Sequence, residues 1–593
     1  MGKTKICVAL LVTVCLFSGG IAQSVSNEDG SESWGYAEVR PKAHMFWWYY
    51  KSPYRKDDPS KPWPIILWLQ GGPGGSGVAI GNFKEIGPLD ANLKPRNSTW
   101  LTKGDLLFVD NPVGTGFSYV EDTNLLVKTD EEAAADLTTL LIKIFNGNET
   151  LQKSPLYMVA ESYGGKYAVT LGLSALKAIE DGKLKMKLGG LALGDTWISP
   201  EDFVFSWGPL LKSVSRLDKN GLQKSNSLAQ KIRQQIGSNQ FEEASDTWNK
   251  LENQISADSN SVDFYNFMLD SDMDPVSAAT LSSELHQNIA LKKYSRYLNS
   301  LRASPGGTVD IDGLMNGAIR DKLKIIPDNF TFGSQSNSVF NSFGGDFMKP
   351  RIKEVDDLLA RGVNVTIYSG QLDVICSTMG TEAWVEKLKW DGLQTFLNMR
   401  RTPLYCNGEG MIKGFSKSYK NLHFYWILGA GHFVPVDQPC ITLDMVGSIT
   451  QSPITSKASV AANVKLTGKS NDNPVAVLPL ICKQTLRIAI KPPHFSAADN
   501  TVARLQTVMA FASIMEYKTA PVEDRISTEL AFQRPNKSRA LKAKDNIAKQ
   551  VAFIERTICI AWFGLLRARI MDALAKRRKE KLRGRVIRDV GIV

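Results

Sequence analysis

Short apolar runs that end in glycine-rich turns recur along most of this chain. The runs are continuous rather than alternating, which is typical of strands buried on both faces of a parallel sheet. Patterns of helical period lie between several of them, as at residues 130–145. This alternation of strand and helix predicts an α/β fold with a mostly parallel sheet. The apolar runs cover residues 65–69, 106–109, 156–159, 191–193, 363–368 and 424–428.

The strand pattern is interrupted once inside the chain and ends well before its last residue. Between about residues 200 and 350 the sequence is polar and helix-like, which predicts a helical cap inserted into the sheet. Residues 453–593 read as a linker followed by basic helices. We therefore expect a signal peptide at 1–22, an α/β body at 23–452 that carries the cap, and an unassigned tail.

The charge of the chain is unevenly distributed. The 593 residues carry a formal net charge of +11. Residues 453–593 contain 26 Lys/Arg and 11 Asp/Glu, a net of +15, which leaves a net of −4 for the rest. Basicity therefore belongs to the tail, and we expect no nucleic-acid partner for the body. Two interpretations of the tail stay open: a basic appendage that binds a membrane or a partner, and a fusion or read-through product.

The amino-terminal residues predict export from the cytosol. Lys3 and Lys5 precede an apolar stretch at residues 6–17, and small residues lead to an expected cleavage after Ala22. A short anchor that stays uncleaved is the alternative. Four N-glycosylation sequons agree with a secreted or lysosomal location, and they begin at Asn97, Asn148, Asn329 and Asn364.

Three candidate catalytic residues follow predicted strands. Ser162 lies in the sequence Ala-Glu-Ser-Tyr-Gly between a strand and a helix, the context of a nucleophile elbow. His432 follows another strand in a glycine-flanked turn, and Asp373 follows a third. A serine needs a nearby imidazole to act as a nucleophile, and the imidazole needs an acid to orient it. Each residue alone is more often structural, but the order Ser, Asp, His is that of an α/β-hydrolase.

Stabilisation of a tetrahedral oxyanion requires backbone N–H groups near the nucleophile. We expect one from Tyr163, the residue after the serine, and one from Gly72 in the glycine-rich loop after the first buried strand. That loop could instead cradle a phosphate. It lacks the Lys-Ser/Thr ending of a P-loop, so we set the phosphate interpretation aside.

Four long motifs resemble those of the serine carboxypeptidases, the S10 peptidase family. They occupy residues 68–74, 110–119, 161–167 and 431–435, and the resemblance extends from about residue 34 to residue 451. It implies removal of carboxyl-terminal residues from peptides, with Ser162 as nucleophile, Asp373 as orienting acid and His432 as base. It implies no metal and no organic cofactor.

The resemblance also implies a site for the carboxylate of the substrate, formed by Gln70, Glu85 and Glu161. Gln70 stands where the family usually has Asn and keeps the amide donor. Burial and like charge raise the pKa of a carboxyl group, so a protonated Glu161 would donate a hydrogen bond to the substrate. We expect tighter binding in acid, a neutral His432 at higher pH, and hence a bell-shaped pH profile.

The chain departs from the family in its cysteines. Gly75 replaces a cysteine that follows the glycine loop, so a disulfide there is absent. The body keeps three cysteines, an odd number. We expect Cys406 and Cys440 to pair and Cys376 to stay free near Asp373.

Two other functions remain open. An acyltransferase would use the same acyl-enzyme with an alcohol or amine in place of water. A scaffold or protective protein on this fold would have only incidental activity. The partners expected for the body are peptide substrates, a homodimer is left open, and the partner of the tail is unknown.

Overall fold

The computed structural model describes residues 23–56, 58, 60–270, 310–406 and 410–452. The expected signal peptide at 1–22, the tail at 453–593 and residues 271–309 of the expected cap lie outside this part of the chain. In the described residues no helix is both long enough and apolar enough to span a bilayer.

The described part contains one sheet of twelve strands. In chain order, β1 to β12 are Gln23–Ser26, Glu32–Arg40, Ala43–Tyr50, Ile65–Leu69, Asp105–Val109, Tyr119–Val120, Pro155–Glu161, Lys187–Gly194, Val365–Gly370, Thr402–Tyr405, Ile412–Tyr419 and Leu422–Ile427. Each of the six predicted apolar runs overlaps one of these strands.

The centre of the sheet is parallel and its two flanks are antiparallel. The spatial order is β1-β2-β3-β5-β4-β7-β8-β9-β12-β11-β10, with β6 beside β3. The pairs from β5 through β4, β7, β8 and β9 to β12 are parallel. The remaining pairs are antiparallel. The predicted α/β fold is therefore confirmed, with a parallel centre extended at both edges by antiparallel strands.

Helices cover the sheet and fill the interval between β8 and β9. The α-helices are Asp130–Phe145, Glu149–Lys153, Gly164–Glu180, Pro200–Ser213, Lys219–Gly237, Phe241–Ser259, Ile311–Leu314, Arg320–Leu323, Asn337–Ser342, Gly344–Phe347, Ile352–Ala360, Thr378–Val385, Leu393–Asn398, Val434–Asp437 and Pro439–Ile449. Wider π-type turns form Gly77–Ile86 and Met315–Ile319, and 3₁₀ turns form Trp100–Thr102 and Thr123–Leu125.

Two hydrophobic cores lie on opposite faces of the sheet. Successive side chains of a strand point to opposite faces, so Ile65 and Leu67 of β4 enter one core while Ile66 and Trp68 enter the other. All five residues of β4 are buried, as its continuous apolar sequence requires. The carboxyl ends of β4, β7, β8, β9 and β12 consequently meet at one edge, where ligands bind in open α/β sheets.

Candidate active site

Ser162 lies in a sharp turn between β7, which ends at Glu161, and the helix Gly164–Glu180. Its φ is +60°, in the left-handed region that non-glycine residues rarely adopt. The Ser162 amide donates to the carbonyl oxygens of Gly194 and Asp195, each at 3.1 Å. Backbone bonds to the end of β8 thus hold the residue in this strained conformation, which is the geometry of a nucleophile elbow.

Glycines let three backbone segments approach the elbow. A Cβ on Gly71 would stand 2.5 Å from the Ser162 Cβ. A Cβ on Gly164 would stand 2.2 Å from the carbonyl oxygen of Leu69, at the end of β4. Side chains at either position would separate the helix from the strands, so close packing beneath Ser162 depends on both glycines.

His432 and Asp373 form a buried hydrogen-bonded pair. The His432 Nδ1 and the Asp373 Oδ2 are 2.8 Å apart, and both side chains are fully shielded from solvent. Nδ1 therefore carries the proton that bonds the carboxylate, and Nε2 is left as the basic nitrogen. Within the described part of the chain no group hydrogen-bonds that Nε2 atom.

A loop at residues 262–270 joins the histidine loop to the acid loop. The His432 amide donates to the Tyr265 carbonyl at 2.8 Å, and the Ile375 amide donates to the Phe264 carbonyl at 2.9 Å. The Tyr265 ring also packs edge-on against the imidazole, with 5.0 Å between ring centroids. This loop follows the helix Phe241–Ser259, so the predicted cap region contributes directly to the placement of His432 and Asp373.

Burial dominates the pKa values of this pair. It lowers the pKa of His432 to about 3, with an opposing effect from the charge of Asp263. It raises the pKa of Asp373, an effect opposed by the backbone amides of Cys376 and Ile375. The imidazole is consequently neutral throughout the mildly acidic range, which is the state that a general base requires.

The three residues expected to bind the substrate carboxylate are brought together. The Gln70 Nε2 donates to the Glu161 Oε1 at 2.8 Å, and the Trp68 Nε1 donates to the Gln70 Oε1 at 2.7 Å. Gln70, Glu85 and Glu161 are all buried. The carboxyl group of Glu85 interacts with that of Glu161 and with the Gln70 amide. Among the described residues, the Glu161 Oε2 and the two carboxyl oxygens of Glu85 have no other donor.

Two carboxyl groups buried side by side favour the protonated state. Burial raises the pKa of Glu85 to about 7. Burial also raises the pKa of Glu161, and the charge of Glu85 adds to that rise. In mildly acidic solution both groups are neutral and each can offer an O–H donor.

The two expected oxyanion donors flank the elbow. Gly72 adopts a φ of +117°, and a Cβ there would stand 2.8 Å from the amide nitrogen of Gly75. Tyr163 is the residue before the helix Gly164–Glu180. In the part of the chain that the structure describes, neither amide donates to a backbone carbonyl, so both remain open to a ligand.

Asp195 is a neighbour of the site that sequence reasoning did not assign. It follows β8, has a φ of +41°, and accepts the Gly370 amide with both carboxylate oxygens at 2.9 and 3.0 Å. Its own carbonyl accepts the Ser162 amide. Asp195 therefore ties the serine turn to the strand that precedes Asp373. Its position after a buried strand, in Gly194-Asp195, was the signal that could have identified it.

The cysteines and the sequons have clear positions. Cys406 and Cys440 form a disulfide with 6.1 Å between their Cα atoms. Cys376 is free and buried, and its sulfur lies within 4.8 Å of ligand atoms of Asp373 and His432. The four sequon asparagines, Asn97, Asn148, Asn329 and Asn364, are all exposed.

The parallel sheet, the elbow at the end of β7 and the buried histidine–carboxylate pair after β12 and β9 define an α/β-hydrolase. A family description, "Serine carboxypeptidase", matches residues 23–452. The chain belongs to the serine carboxypeptidase family, and it is a serine-type hydrolase of that kind.

Two known relatives illustrate the similarity in sequence. Serine carboxypeptidase-like 51 of Arabidopsis thaliana is 63% identical over 459 residues, covering 76% of this chain and 99% of that protein. Retinoid-inducible serine carboxypeptidase of Rattus norvegicus is 45% identical over 439 residues, covering 73% and 95%. Residues 44–50, 194–200 and 417–428 of this chain also resemble the retinoid-inducible members of the family.

A solved structure supports the fold. Kex1ΔP, a prohormone-processing carboxypeptidase from Saccharomyces cerevisiae, aligns with a TM-score of 0.57 at 22% identity, covering 71% of this chain and 91% of that one.

Proposed function

We propose that this carboxypeptidase releases single residues from the carboxyl terminus of peptides through an acyl-enzyme on Ser162. The observation that carries the proposal is the buried 2.8 Å bond between His432 Nδ1 and Asp373 Oδ2. With Nδ1 committed to the carboxylate, Nε2 is the nitrogen that takes a proton from the Ser162 hydroxyl.

The chemical steps follow from this assignment. As Ser162 Oγ bonds to the scissile carbonyl carbon, His432 accepts the hydroxyl proton and Asp373 stabilises the imidazolium. The amides of Gly72 and Tyr163 donate to the oxyanion. His432 then returns the proton to the departing amine, which leaves as the released amino acid. A water molecule, deprotonated by His432, then attacks the ester carbonyl. As the bond from the carbonyl carbon to Oγ breaks, the imidazolium returns the proton to Ser162 Oγ, which regenerates the serine and releases the shortened peptide.

The proposed exopeptidase specificity arises from Gln70, Glu85 and Glu161. A free carboxylate is a full negative charge, and a buried site can hold it only with hydrogen-bond donors. The protonated carboxyl groups of Glu85 and Glu161 provide these donors in acid. A peptide with an amidated terminus offers no carboxylate, so it should bind poorly.

We further propose a secreted or lysosomal location. The predicted signal peptide supports it, and so do four exposed sequon asparagines to which a glycan can be attached without disturbing the core. A preference for acid that follows from Glu85 and Glu161 suits an acidic compartment.

The test is release of single residues from a panel of amino-terminally blocked dipeptides between pH 4 and pH 8. The wild-type protein should be active, with kcat/KM falling above about pH 7 as Glu85 loses its proton. Ser162→Ala should lower kcat by at least a thousandfold while the fold is retained.

A flat profile of kcat/KM from pH 4 to pH 8 would contradict the carboxylate site. Transfer of the acyl group to an added alcohol in preference to water would identify an acyltransferase, and a folded but inactive wild-type protein would favour a scaffold.

A further inference from the structure

Beneath the elbow lies a buried cluster of charges that the reaction scheme does not use. Asp130, Lys166, Asp346 and Arg351 form it, and each is at most 3% exposed. Two are anionic and two cationic, and Arg351 also pairs with the more exposed Glu131 and Glu354. Paired and hydrogen-bonded charge is the arrangement in which buried ions are tolerated.

The members of the cluster come from separate parts of the fold. Asp130 begins the helix Asp130–Phe145, and Lys166 lies in the first turn of the helix Gly164–Glu180. Asp346 and Arg351 belong to the segment between β8 and β9. The Arg351 Nε donates to Asp130 Oδ2 at 2.8 Å, and its Nη2 donates to Asp346 Oδ2 at 2.9 Å. Lys166 Nζ stands 3.3 Å from Asp130 Oδ2.

One side chain connects this cluster to the proposed oxyanion site. The hydroxyl of Tyr163 donates to Asp130 Oδ1 at 2.9 Å. Lys166 Nζ lies 4.6 Å from the centre of the Tyr163 ring, and the Phe347 ring stacks on it at 5.7 Å with an interplanar angle of 6°. Burial raises the pKa of the Tyr163 phenol, which keeps the hydroxyl protonated as a donor.

We propose that the bond between the Tyr163 hydroxyl and Asp130 positions the Tyr163 amide N–H for the oxyanion, which makes Asp130 a positioning residue of the reaction. The inference rests on the proposed oxyanion role of that amide. Tyr163 precedes its helix, where no hydrogen bond of the helix holds its N–H, so its side chain supplies the fixed point.

The neighbouring tyrosine provides a matched control. Tyr167 lies one turn further along the same helix, is fully buried, and packs against the Tyr163 ring at 5.1 Å. Its hydroxyl finds no hydrogen-bond partner among the described residues. Tyr163→Phe and Tyr167→Phe therefore delete the same atom in the same environment, and only the first deletion removes a bond to Asp130.

The experiment compares both variants with the wild-type full-length chain at pH 6.5. Burial raises the pKa of Asp130 to about 6, against the effect of Lys166, so Asp130 is mostly ionised there. We expect Tyr163→Phe to lower kcat about tenfold with KM within twofold, and Tyr167→Phe to match the wild type. Removal of a whole oxyanion donor costs about 10²- to 10³-fold, and a displaced donor should cost less.

Two inhibitors separate positioning from stability. An amino-terminally blocked amino aldehyde forms a hemiacetal with Ser162 whose oxygen occupies the oxyanion position, whereas the corresponding alcohol does not. The Ki of the aldehyde should rise in Tyr163→Phe by the factor by which kcat/KM falls, while the Ki of the alcohol stays unchanged. Asp130→Asn should likewise raise the Ki of the aldehyde. Adding Tyr163→Phe to Asp130→Asn should then have less effect than it has in the wild type.

If Tyr163→Phe had the same kcat and the same affinity for the aldehyde as the wild type, the proposal would be overturned. Equal losses in the two tyrosine variants would also overturn it, since both would then reflect general loosening of the core. Failure of the proposed function is distinguishable, because an inactive wild-type protein would show it before any variant is compared.

Discussion

At the scale of single residues, burial shifts the two kinds of titratable group in opposite directions. It lowers the pKa of His432 to about 3 and raises that of Glu85 to about 7. Both shifts favour the neutral form, since a low-dielectric surrounding penalises charge of either sign. Between these two values the base is unprotonated and the carboxylate-binding group is protonated. The sequence leads to two requirements, a neutral base and a protonated carboxyl group. Both are met over a broad pH range, so the pH profile should have a broad maximum rather than a narrow one.

The raised pKa of Glu85 predicts a specific pH dependence of stability. The ordinary value is 4.5 and the folded value about 7, so the folded protein binds this proton more tightly than the unfolded chain. Its contribution is complete below about pH 4.5 and is lost as pH rises to about 7, by about 3 kcal/mol in all. Glu85→Gln removes this loss. Relative to the wild type, the free energy of unfolding of Glu85→Gln should rise with pH over that range, because only the wild type loses this stabilising proton there.

Urea unfolding at pH 4.5, 5.5, 6.5 and 7.5 measures this difference. The comparison with Glu85→Gln cancels the opposite effect of His432, which stabilises the fold as pH rises from about 3. Glu180→Gln, on the surface, is the control and should run parallel to the wild type. Parallel curves for Glu85→Gln as well would show that Glu85 titrates normally.

At the scale of secondary-structure elements, the site depends on how closely the helix Gly164–Glu180 approaches the strands. The helix begins against the end of β4, where a Cβ on Gly164 would stand 2.2 Å from the Leu69 carbonyl oxygen. That atom belongs to the backbone of a central strand and cannot move aside. The approach fixes where the amide of Tyr163 and the side chain of Ser162 lie relative to the glycine loop at 70–75.

A pair of glycine substitutions tests this dependence. Gly164→Ala should destabilise the protein by about 1–3 kcal/mol and lower kcat/KM by at least tenfold, because helix and strand must separate. Gly237→Ala makes the same chemical change at the end of the helix Lys219–Gly237, where a Cβ meets nothing within 4 Å. It should be neutral or stabilise by up to about 1 kcal/mol. Thermal melts and steady-state kinetics measure both, and similar behaviour of the two variants would contradict the account.

The same scale shows what the sequence could predict. The helix at 130–145 and the strand at 65–69 were predicted with the bounds they have, because one has an amphipathic period and the other a continuous apolar run. The antiparallel strands β2, β3, β10 and β11 were not predicted. Three of them, β2, β10 and β11, have mixed polarity and partly exposed side chains, so they lack the signal of a buried parallel strand. The fourth, β3, is mostly buried, and its apolar, aromatic sequence was a signal that could have identified it.

The sequence predicts only those site residues whose role can be recognised from the few residues around them. Ser162, Asp373 and His432 each follow an apolar run, so parallel topology predicts that they lie at the same edge of the sheet. The 262–270 loop and the cluster around Asp130 could not be predicted, since they join residues far apart in sequence. The bond between Arg351 and Asp130, for example, spans 221 positions. Nothing in the pattern near either residue indicates the other.

At the scale of the whole molecule, catalytic function is assigned to the body at residues 23–452. The family match covers the same residues, and the relatives from Arabidopsis and rat align over 99% and 95% of their own lengths. Residues 1–452 carry a net charge of −4, against +15 for residues 453–593. We therefore propose that the tail is an appendage to a carboxypeptidase rather than a part of its active site.

The most direct measurement of the central claim is to label the full-length protein with a fluorophosphonate and map the modified residue by mass spectrometry. We expect one adduct, on Ser162. Labelling should be lost in His432→Ala and should be slowed by a peptide with a free carboxyl terminus, but not by the same peptide amidated. An adduct on a different serine, or equal protection by both peptides, would contradict the assignment of Ser162 or of the carboxylate site.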